Sequence, residues 1–113
     1  MDCIFCQIVA GKVPSKIVYE DAEVIVFPDI NPKAPIHLLI ASKKHIPSLA
    51  HLSEAELPLI AHMVNIANRL AKEKSISERG YRLVANCGEE GGQLVPHLHI
   101  HLLGGKKLKD APN

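Results

Sequence analysis

Apolar residues recur along the chain with two different periods, which predict five strands and one long helix. Alternating or β-branched apolar runs predict strands at residues 16–21, 23–29, 36–44, 80–87 and 96–104. Residues 53–74 instead carry apolar side chains three and four positions apart, as an amphipathic helix does. The predicted apolar stripe of this helix consists of Leu57, Ile60, Ala61, Val64, Ala67 and Ala71.

Local signals refine these elements. Ser53 and Glu56 have the spacing of a capping box at the start of the helix, and Pro58 is expected to bend its first turn. Residues 3–11 predict a short helix or turn that ends at Gly11. Strands, then a helix, then strands predict an α+β fold with a five-stranded, mainly antiparallel sheet in a single domain over residues 1–113.

Composition narrows the function classes. The formal net charge is +1, so charge gives no reason to expect binding to DNA, RNA or an anionic membrane surface. With no Trp, two Tyr and two Phe, a base-stacking surface for single strands is not expected. No apolar run has the length of a membrane span, and the N-terminus lacks the basic start of a signal peptide. We therefore expect a cytoplasmic protein whose three cysteines are thiols or metal ligands.

Three histidines occupy alternate positions in the segment VPHLHIHLLGG, residues 95–105. In an extended strand, His97, His99 and His101 would share one face, opposite Leu98 and Ile100. Four interpretations compete: an ordinary polar strand face, a metal site, general acid–base catalysis, and nucleophilic catalysis by a neutral imidazole. With an unperturbed pKa of about 6.5, most of these rings would be neutral at pH 7.

The neighbouring segment NCGEEGGQ favours chemistry on a phosphoryl group. Its glycines allow backbone N–H groups to approach an anion closely. Asn86 and Gln93 add neutral hydrogen-bond donors. Such donors would stabilise phosphate oxygens while a histidine nitrogen attacks phosphorus.

Taken together, these segments resemble a known family. HLHIHLL matches the signature of the histidine triad (HIT) superfamily, and GYRLVANCGEEGGQ, LLGG and FPDINPKAPIHLLIASKKHI resemble its Hint branch, the histidine triad nucleotide-binding proteins. The likeness runs from about Cys3 to Gly105. It implies a HIT-like fold and hydrolysis of purine nucleoside 5′-phosphoramidates or adenylates at the α-phosphate.

The resemblance also implies roles for the histidines. His99 would attack the α-phosphorus and form a nucleotidyl-histidine, which water would then hydrolyse. His101 would bind a phosphate oxygen or assist the leaving group, and His37 would be the family's additional upstream histidine.

Further residues match the family's substrate-binding positions. Asp29 would accept hydrogen bonds from the ribose hydroxyls, and Asn86 with the backbone of Gly92 and Gln93 would hold the phosphate or the leaving group. The base pocket would be lined by Phe5, Ile8, Val13, Phe27 and Ile30. At residue 94 many Hint proteins have Ser or Thr, but this chain has Leu94, which offers only its backbone N–H. This departure predicts weaker recognition of the leaving group.

Cys3 and Cys6 form a C-x-x-C pair, which alone is half a zinc site or a redox pair. A thioredoxin-like context is absent, and a structural zinc needs two further ligands. Bacterial members that this sequence resembles have a Cys₂His₂ set, which implies that His45 and His97 complete a structural zinc site. A catalytic metal on His97, His99 and His101 is the competing hypothesis.

The resemblance further implies a homodimer, joined through the long helix and an edge strand. Two alternatives to the phosphoramidase hypothesis remain: hydrolysis of dinucleoside polyphosphates, and a nucleotide-binding or scaffold protein with weak activity.

Overall fold

The structure, a computed structural model, describes residues 3–110 and has the predicted α+β architecture. Its helices are α1 (Ile4–Val9) and α2 (Leu57–Glu73), with 3₁₀ turns at Leu49–His51 and Glu54–Glu56. Its strands are β1 (Tyr19–Glu20), β2 (Val24–Pro28), β3 (Ile36–Ser42), β4 (Tyr81–Val84) and β5 (His99–Gly104). They form one antiparallel sheet in the order β1-β2-β3-β5-β4, which confirms the predicted sheet. No helix within residues 3–110 is long and apolar enough to cross a bilayer.

The strands that flank the glycine-rich loop are shorter than predicted. β4 ends at Val84, and β5 begins only at His99. Pro96 has no N–H to donate, and the N–H of His97 turns back to the carbonyl of Val95 at 2.8 Å. His97 therefore precedes the regular strand, although its ring still lies on the same side of the sheet as His99, because both rings contact Phe5.

The start of α2 confirms the capping box, in which Ser53 and Glu56 satisfy each other's backbone N–H groups. Ser53 is the N-cap of the 3₁₀ turn Glu54–Glu56, which precedes the α-helix. Pro58 lies at the beginning of α2, where its missing N–H costs no helical hydrogen bond. The irregularity expected from Pro58 is thus confined to the turn before it.

The predicted stripe of α2 was wrong along one side. The buried face consists of Met63, Ile66, Ala67, Leu70 and Ala71. Ile60 and Val64 are only partly buried at its margin, Leu57 is 54 % exposed, and Ala61 is exposed. Met63, Ile66 and Leu70 face the sheet because their long side chains fill more of the core than alanine would. The predicted stripe therefore lies towards the edge of the buried face.

The two faces of the sheet carry different chemistry. Alternate strand residues such as Val26, Ile40 and Leu102 pack under α2 and form the main core. On the opposite face, Phe27 and Leu39 pack with Phe5 of α1 in a smaller cluster. This cluster covers only part of that face, so the remainder is open for a site.

Asp21 fixes the turn between β1 and β2. One of its carboxylate oxygens accepts the N–H groups of Glu23 and Val24, each at 2.8 Å. The other accepts the Tyr19 hydroxyl at 2.8 Å and a ring nitrogen of His62, on α2, at 2.7 Å. Asp21 thereby ties the edge of the sheet to the long helix.

These bonds make the stability depend on pH. Burial opposes ionisation of Asp21, but the Glu23 N–H, His62 and the other donors outweigh it and hold the pKa of the carboxyl well below its usual range. A depressed folded pKa contributes stability above the unfolded value of about 3.9 and loses it as the pH falls towards the folded value. We predict that Asp21→Asn lowers the free energy of unfolding by about 2 kcal/mol at neutral pH.

When the pH is lowered from neutral to about pH 3, the free energy of unfolding measured in urea should fall less in Asp21→Asn than in the wild type. Glu78→Gln, at an exposed carboxylate, is the control and should follow the wild type. A variant at Asp21 with the wild-type acid dependence would contradict this assignment.

Candidate active site

Strand register brings the histidines together on the open face. His99 and His101 pair with Ala41 and Leu39 of β3, and His37 pairs with Leu103. The ring centroids of His99 and His101 are 5.0 Å apart, and those of His37 and His101 are 5.2 Å apart. One continuous row of imidazoles therefore crosses the centre of the sheet.

The hydrogen bond of His99 fixes its tautomer. Its Nδ1 lies 2.6 Å from the backbone carbonyl oxygen of His97, which can only accept, so Nδ1 carries the proton. In the neutral ring Nε2 is then unprotonated. Phe5 packs its ring against that of His99 at a centroid distance of 5.0 Å and holds its orientation. The arrangement gives His99 a free lone pair on Nε2.

A second chain of hydrogen bonds sets the tautomers of the other two rings. The N–H of Lys33 donates to Nδ1 of His37 at 3.0 Å, so the His37 proton is on Nε2. His37 Nε2 then donates to Nδ1 of His101 at 2.9 Å, which leaves the His101 proton on Nε2. His101 is thus a hydrogen-bond donor beside the lone pair of His99.

Asp29 lies beside this chain, with its Oδ2 3.4 Å from Nε2 of His37. Asp29, His37 and His101 are close enough together to suggest a metal site. A metal on His37 Nε2 would require the loss of that proton while Nδ1 already accepts the Lys33 N–H. The hydrogen bonds therefore favour a proton-ordering role over metal binding.

Burial keeps the rings neutral. It lowers the pKa of His101 to about 4, and the neighbouring rings of His99 and His37 add to the effect against the charge of Asp29. Burial likewise lowers the pKa of His99, opposed by the bond to the His97 carbonyl and by Asp29. The pKa of His37 is lowered by burial as well. At pH 7 the row therefore consists of neutral rings: His99 has a lone pair on Nε2, and His37 and His101 have N–H donors there.

A cavity of about 490 Å³ opens beside His99 and His101. Apolar side chains form most of its wall, and every residue predicted for the base pocket lies there: Phe5, Ile8, Val13, Phe27 and Ile30. Asp29, Asn86, Gly92 and Leu94 complete the rim beside the histidines. Ile30 and Leu94 are 92 % and 93 % exposed, so the rim has large apolar side chains that a ligand can cover.

The glycine-rich loop differs from the expected phosphate cradle. The N–H groups of Gly92 and Gln93 already donate to the carbonyls of Glu89 and Gly88, each at 3.0 Å. Gln93 also uses its side chain inside the loop, accepting from Gly88 and donating to Pro47 and Val95. Gln93 therefore holds the loop in shape and lies outside the cavity wall.

Two donors near the loop remain relevant to a ligand. Asn86 points its amide across the loop and donates to the carbonyl of Gly91 at 2.8 Å, on the cavity side. The N–H of Leu94 has no hydrogen-bond partner among residues 3–110. Leu94 thus offers its backbone N–H, as the sequence suggests, and its side chain adds no donor.

The structure brings together the four predicted metal ligands. His97 Nδ1 lies 3.3 Å from Sγ of Cys3, 3.6 Å from Sγ of Cys6 and 3.2 Å from Nδ1 of His45. Sγ of Cys6 is 3.2 Å from Nδ1 of His45. Tetrahedral zinc with bonds of about 2.0–2.1 Å to nitrogen and about 2.3 Å to sulfur places its ligand atoms about 3.3–3.8 Å apart, so the donor set fits this ion.

His97 is also oriented for that role. Its Nε2 donates to the backbone carbonyl of Ser42 at 2.6 Å, which leaves the lone pair of Nδ1 facing the two thiols. A carbonyl that fixes the tautomer of a ligating histidine is a common second contact in metal sites. The competing metal set of His97, His99 and His101 is disfavoured, because both ring nitrogens of His97 are engaged away from the other two rings. Nε2 donates to the Ser42 carbonyl, and Nδ1 faces Cys3, Cys6 and His45.

The chain is similar to known proteins over almost its whole length. Residues 2–111 match the family model described as "Scavenger mRNA decapping enzyme C-term binding". An uncharacterized HIT-like protein of Buchnera aphidicola is 46 % identical over 106 residues, covering 94 % of this chain and 93 % of the relative.

Two solved structures share almost the whole fold. A histidine triad protein from Clostridium difficile has a TM-score of 0.95 and 48 % identity, covering 97 % of this chain and 96 % of that one. A HIT family hydrolase from Legionella pneumophila has a TM-score of 0.96 and 43 % identity, covering 99 % of this chain and 100 % of that one.

We predict opposite tautomers for His99 and His37. In ¹⁵N-detected spectra at about pH 8, where neutral rings dominate, His99 should show a protonated Nδ1 and an unprotonated Nε2, and His37 the reverse. His99→Asn and His37→Asn assign the signals by removing them one at a time. A protonated Nε2 on His99 would contradict the geometry.

Proposed function

The chain belongs to the histidine triad superfamily, and from this membership we propose that it is a nucleotide hydrolase of the Hint branch that cleaves purine nucleoside 5′-phosphoramidates or adenylates at the α-phosphate. The observation that carries the proposal is the unprotonated Nε2 of His99 at the wall of the apolar cavity. The Legionella relative is named a hydrolase, which supports the reaction class.

Substrate binding follows from the walls of the cavity. The purine enters between the side chains of Phe5, Ile8, Val13, Phe27 and Ile30, where it loses contact with water. Asp29 accepts hydrogen bonds from the ribose hydroxyls at the rim. This places the α-phosphate beside His99 and His101.

The reaction then proceeds in two displacements. His99 Nε2 forms a bond to the α-phosphorus as the bond from phosphorus to the leaving group breaks. His101 Nε2–H and the Asn86 amide donate hydrogen bonds to phosphate oxygens, which stabilises the charge of the transition state. Water attacks the nucleotidyl-histidine in the second step. Overall, it contributes a hydroxyl to phosphorus and a proton to the leaving amine.

Removal of the nucleophile tests this mechanism. With a fluorogenic adenosine phosphoramidate, we expect His99→Ala to lose at least about 10³-fold in kcat, since no other side chain would replace the attacking nitrogen. Rapid acid-free quenching and mass spectrometry of the wild type should detect an adenylyl group on the peptide that contains residues 97–101. Equal turnover in His99→Ala, or an adduct on another peptide, would refute the assignment.

A nucleotide-binding protein with weak turnover is the second candidate function. It is favoured by Leu94, whose exposed side chain has no donor for the leaving group. Tight binding of AMP together with negligible turnover of the fluorogenic substrate would support this candidate.

We also propose that Cys3, Cys6, His45 and His97 hold a structural zinc ion. When bound, zinc would supply a cross-link between the N-terminal helix and the segment that precedes β5, and four protein ligands leave no open position for catalysis. The residues themselves place the carbonyl of His97 where it orients the ring of His99.

Elemental analysis tests the zinc site. We expect close to one zinc per chain in the wild type and a large loss in Cys3→Ser, because a serine hydroxyl is a poor replacement for a thiolate ligand. Cys87→Ser is the matched control, since Cys87 lies outside the cluster. Full zinc occupancy in Cys3→Ser would disprove the ligand set.

The single domain over residues 1–113 and its assembly are part of the same proposal. β4 is an edge strand, and the margin of α2 leaves Leu57, Ile60, Ala61 and Val64 incompletely covered. A homodimer that continues the sheet through this edge would cover both features. We place the protein in the cytoplasm, where reduced thiols are available to bind zinc.

A further inference from the structure

We propose that the leaving-group side of the site is an anion-binding basin that selects leaving groups with a further phosphate beyond the scissile bond. The basin is a second cavity of about 950 Å³, and Lys33, Arg82, Lys106, Lys107 and Lys109 lie in its wall. This inference rests on the proposed nucleotide chemistry and adds a class of substrate to it.

Register explains why the basin adjoins the histidines. On the open face, Arg82 of β4 pairs with Leu103 of β5, which pairs with His37 of β3. Val84 and His101 form the adjacent row, nearer the apolar cavity. Arg82 therefore lies one row beyond His101, on the side away from the predicted base pocket.

The two cavities are continuous through shared walls. The residues that line both of them are Asp29, Asn31, Asn86, Gly92, Leu94 and His101. If a nucleoside fills the apolar cavity and its α-phosphate lies at His101, the group across the scissile bond has to extend into the basin. The basin is thus placed to contact the leaving group.

Among the residues that the structure describes, basic side chains outnumber carboxylates in the basin. Five basic side chains and one carboxylate, that of Asp29, line it. Within residues 3–110, no carboxylate lies within salt-bridge distance of any of these five cations. A net charge of +1 for the whole chain therefore conceals a local positive field that attracts anions.

The segment after β5, which forms part of the basin wall, is held in place by a turn at Gly105 and by Arg82. Gly105 adopts a φ of +94°, and a Cβ at this position would lie 3.0 Å from Pro35, so the chain turns there only with glycine. Arg82 Nη2 donates to the carbonyl of Lys109 and fixes the far end of the segment. Arg82 retains further N–H donors, suited to a phosphate.

A matched pair of substrates isolates this subsite from the chemistry. The adenosine 5′-phosphoramidates of propylamine and of 3-aminopropyl phosphate have the same scissile P–N bond and differ in one terminal phosphate. We expect kcat/KM to be at least about tenfold higher for the phosphorylated compound at low salt, and the ratio to fall as salt screens the basin. The terminal phosphate can belong to a phosphorylated amine or to a nucleotide. Comparison of kcat/KM for diadenosine tetraphosphate and for the phosphorylated amidate shows which of these leaving groups is preferred, and either preference supports the basin.

Variants assign the preference to the basin. Arg82→Gln and Lys33→Gln should each lower the ratio about threefold or more, and Arg82→Lys should restore part of it. Lys72→Gln removes the same charge from the exposed surface of α2 and should leave the ratio unchanged. Equal kcat/KM for the two amidates, or the same fall in all variants, would overturn the proposal.

Binding tests the basin even if the phosphoramidates are not turned over. In the His99→Ala variant, ATP should bind more tightly than AMP, and Arg82→Gln in that background should reduce the difference while Lys72→Gln should not. Absence of turnover with this binding pattern would refute the proposed reaction and support the basin. Turnover by the wild type, together with equal affinities of His99→Ala for AMP and ATP, would support the proposed reaction and refute the basin.

Discussion

The bond from His99 Nδ1 to the His97 carbonyl is the constraint on which the site depends. It puts the proton on the side of the ring that faces its own backbone, and it leaves the lone pair of Nε2 at the cavity. Because His97 is itself held by Ser42 and lies against both thiols and His45, the acceptor of this bond cannot shift freely. His97 of the proposed metal site and His99, the proposed nucleophile, are thus two residues apart on one segment.

The open face of the sheet has an ordered gradient of polarity. At one end lies the cluster of Cys3, Cys6, His45 and His97, beside Phe5 of α1, and the apolar cavity follows. Three neutral histidines occupy the centre, and Arg82 with the lysines occupies the other end. Alternation along β5 gives this face its histidines while Ile100 and Leu102 supply the core beneath.

Much of this could be predicted from the sequence. Period-two patterns gave the strands, and the capping box placed the start of the long helix within a turn. Strand alternation alone predicted that His99 and His101 share a face, whereas His97 precedes β5 and His37 joins the row from β3. The resemblance supplied residues far apart in the chain, such as His45 and Asp29, which no local pattern joins to that row.

What the sequence did not show depends on tertiary contacts. The buried face of α2 differs from the predicted stripe because the larger side chains of Met63, Ile66 and Leu70 pack over the centre of the sheet. Gln93 looked like a phosphate donor, but its amide is occupied by three backbone partners. The basin could not be predicted because Lys33, Arg82 and the lysines after β5 are far apart in the sequence. The pairing of Arg82 with Leu103 places Arg82 beyond His101, where these basic residues line one cavity.

A crystal structure of the protein with AMP would show whether His99 faces the phosphorus. We predict that Nε2 of His99 lies about 3–3.5 Å from the phosphorus, with Nδ1 still on the His97 carbonyl and the adenine in the apolar cavity. A phosphate bound away from His99, or a His99 ring turned so that Nε2 meets the protein backbone, would contradict it.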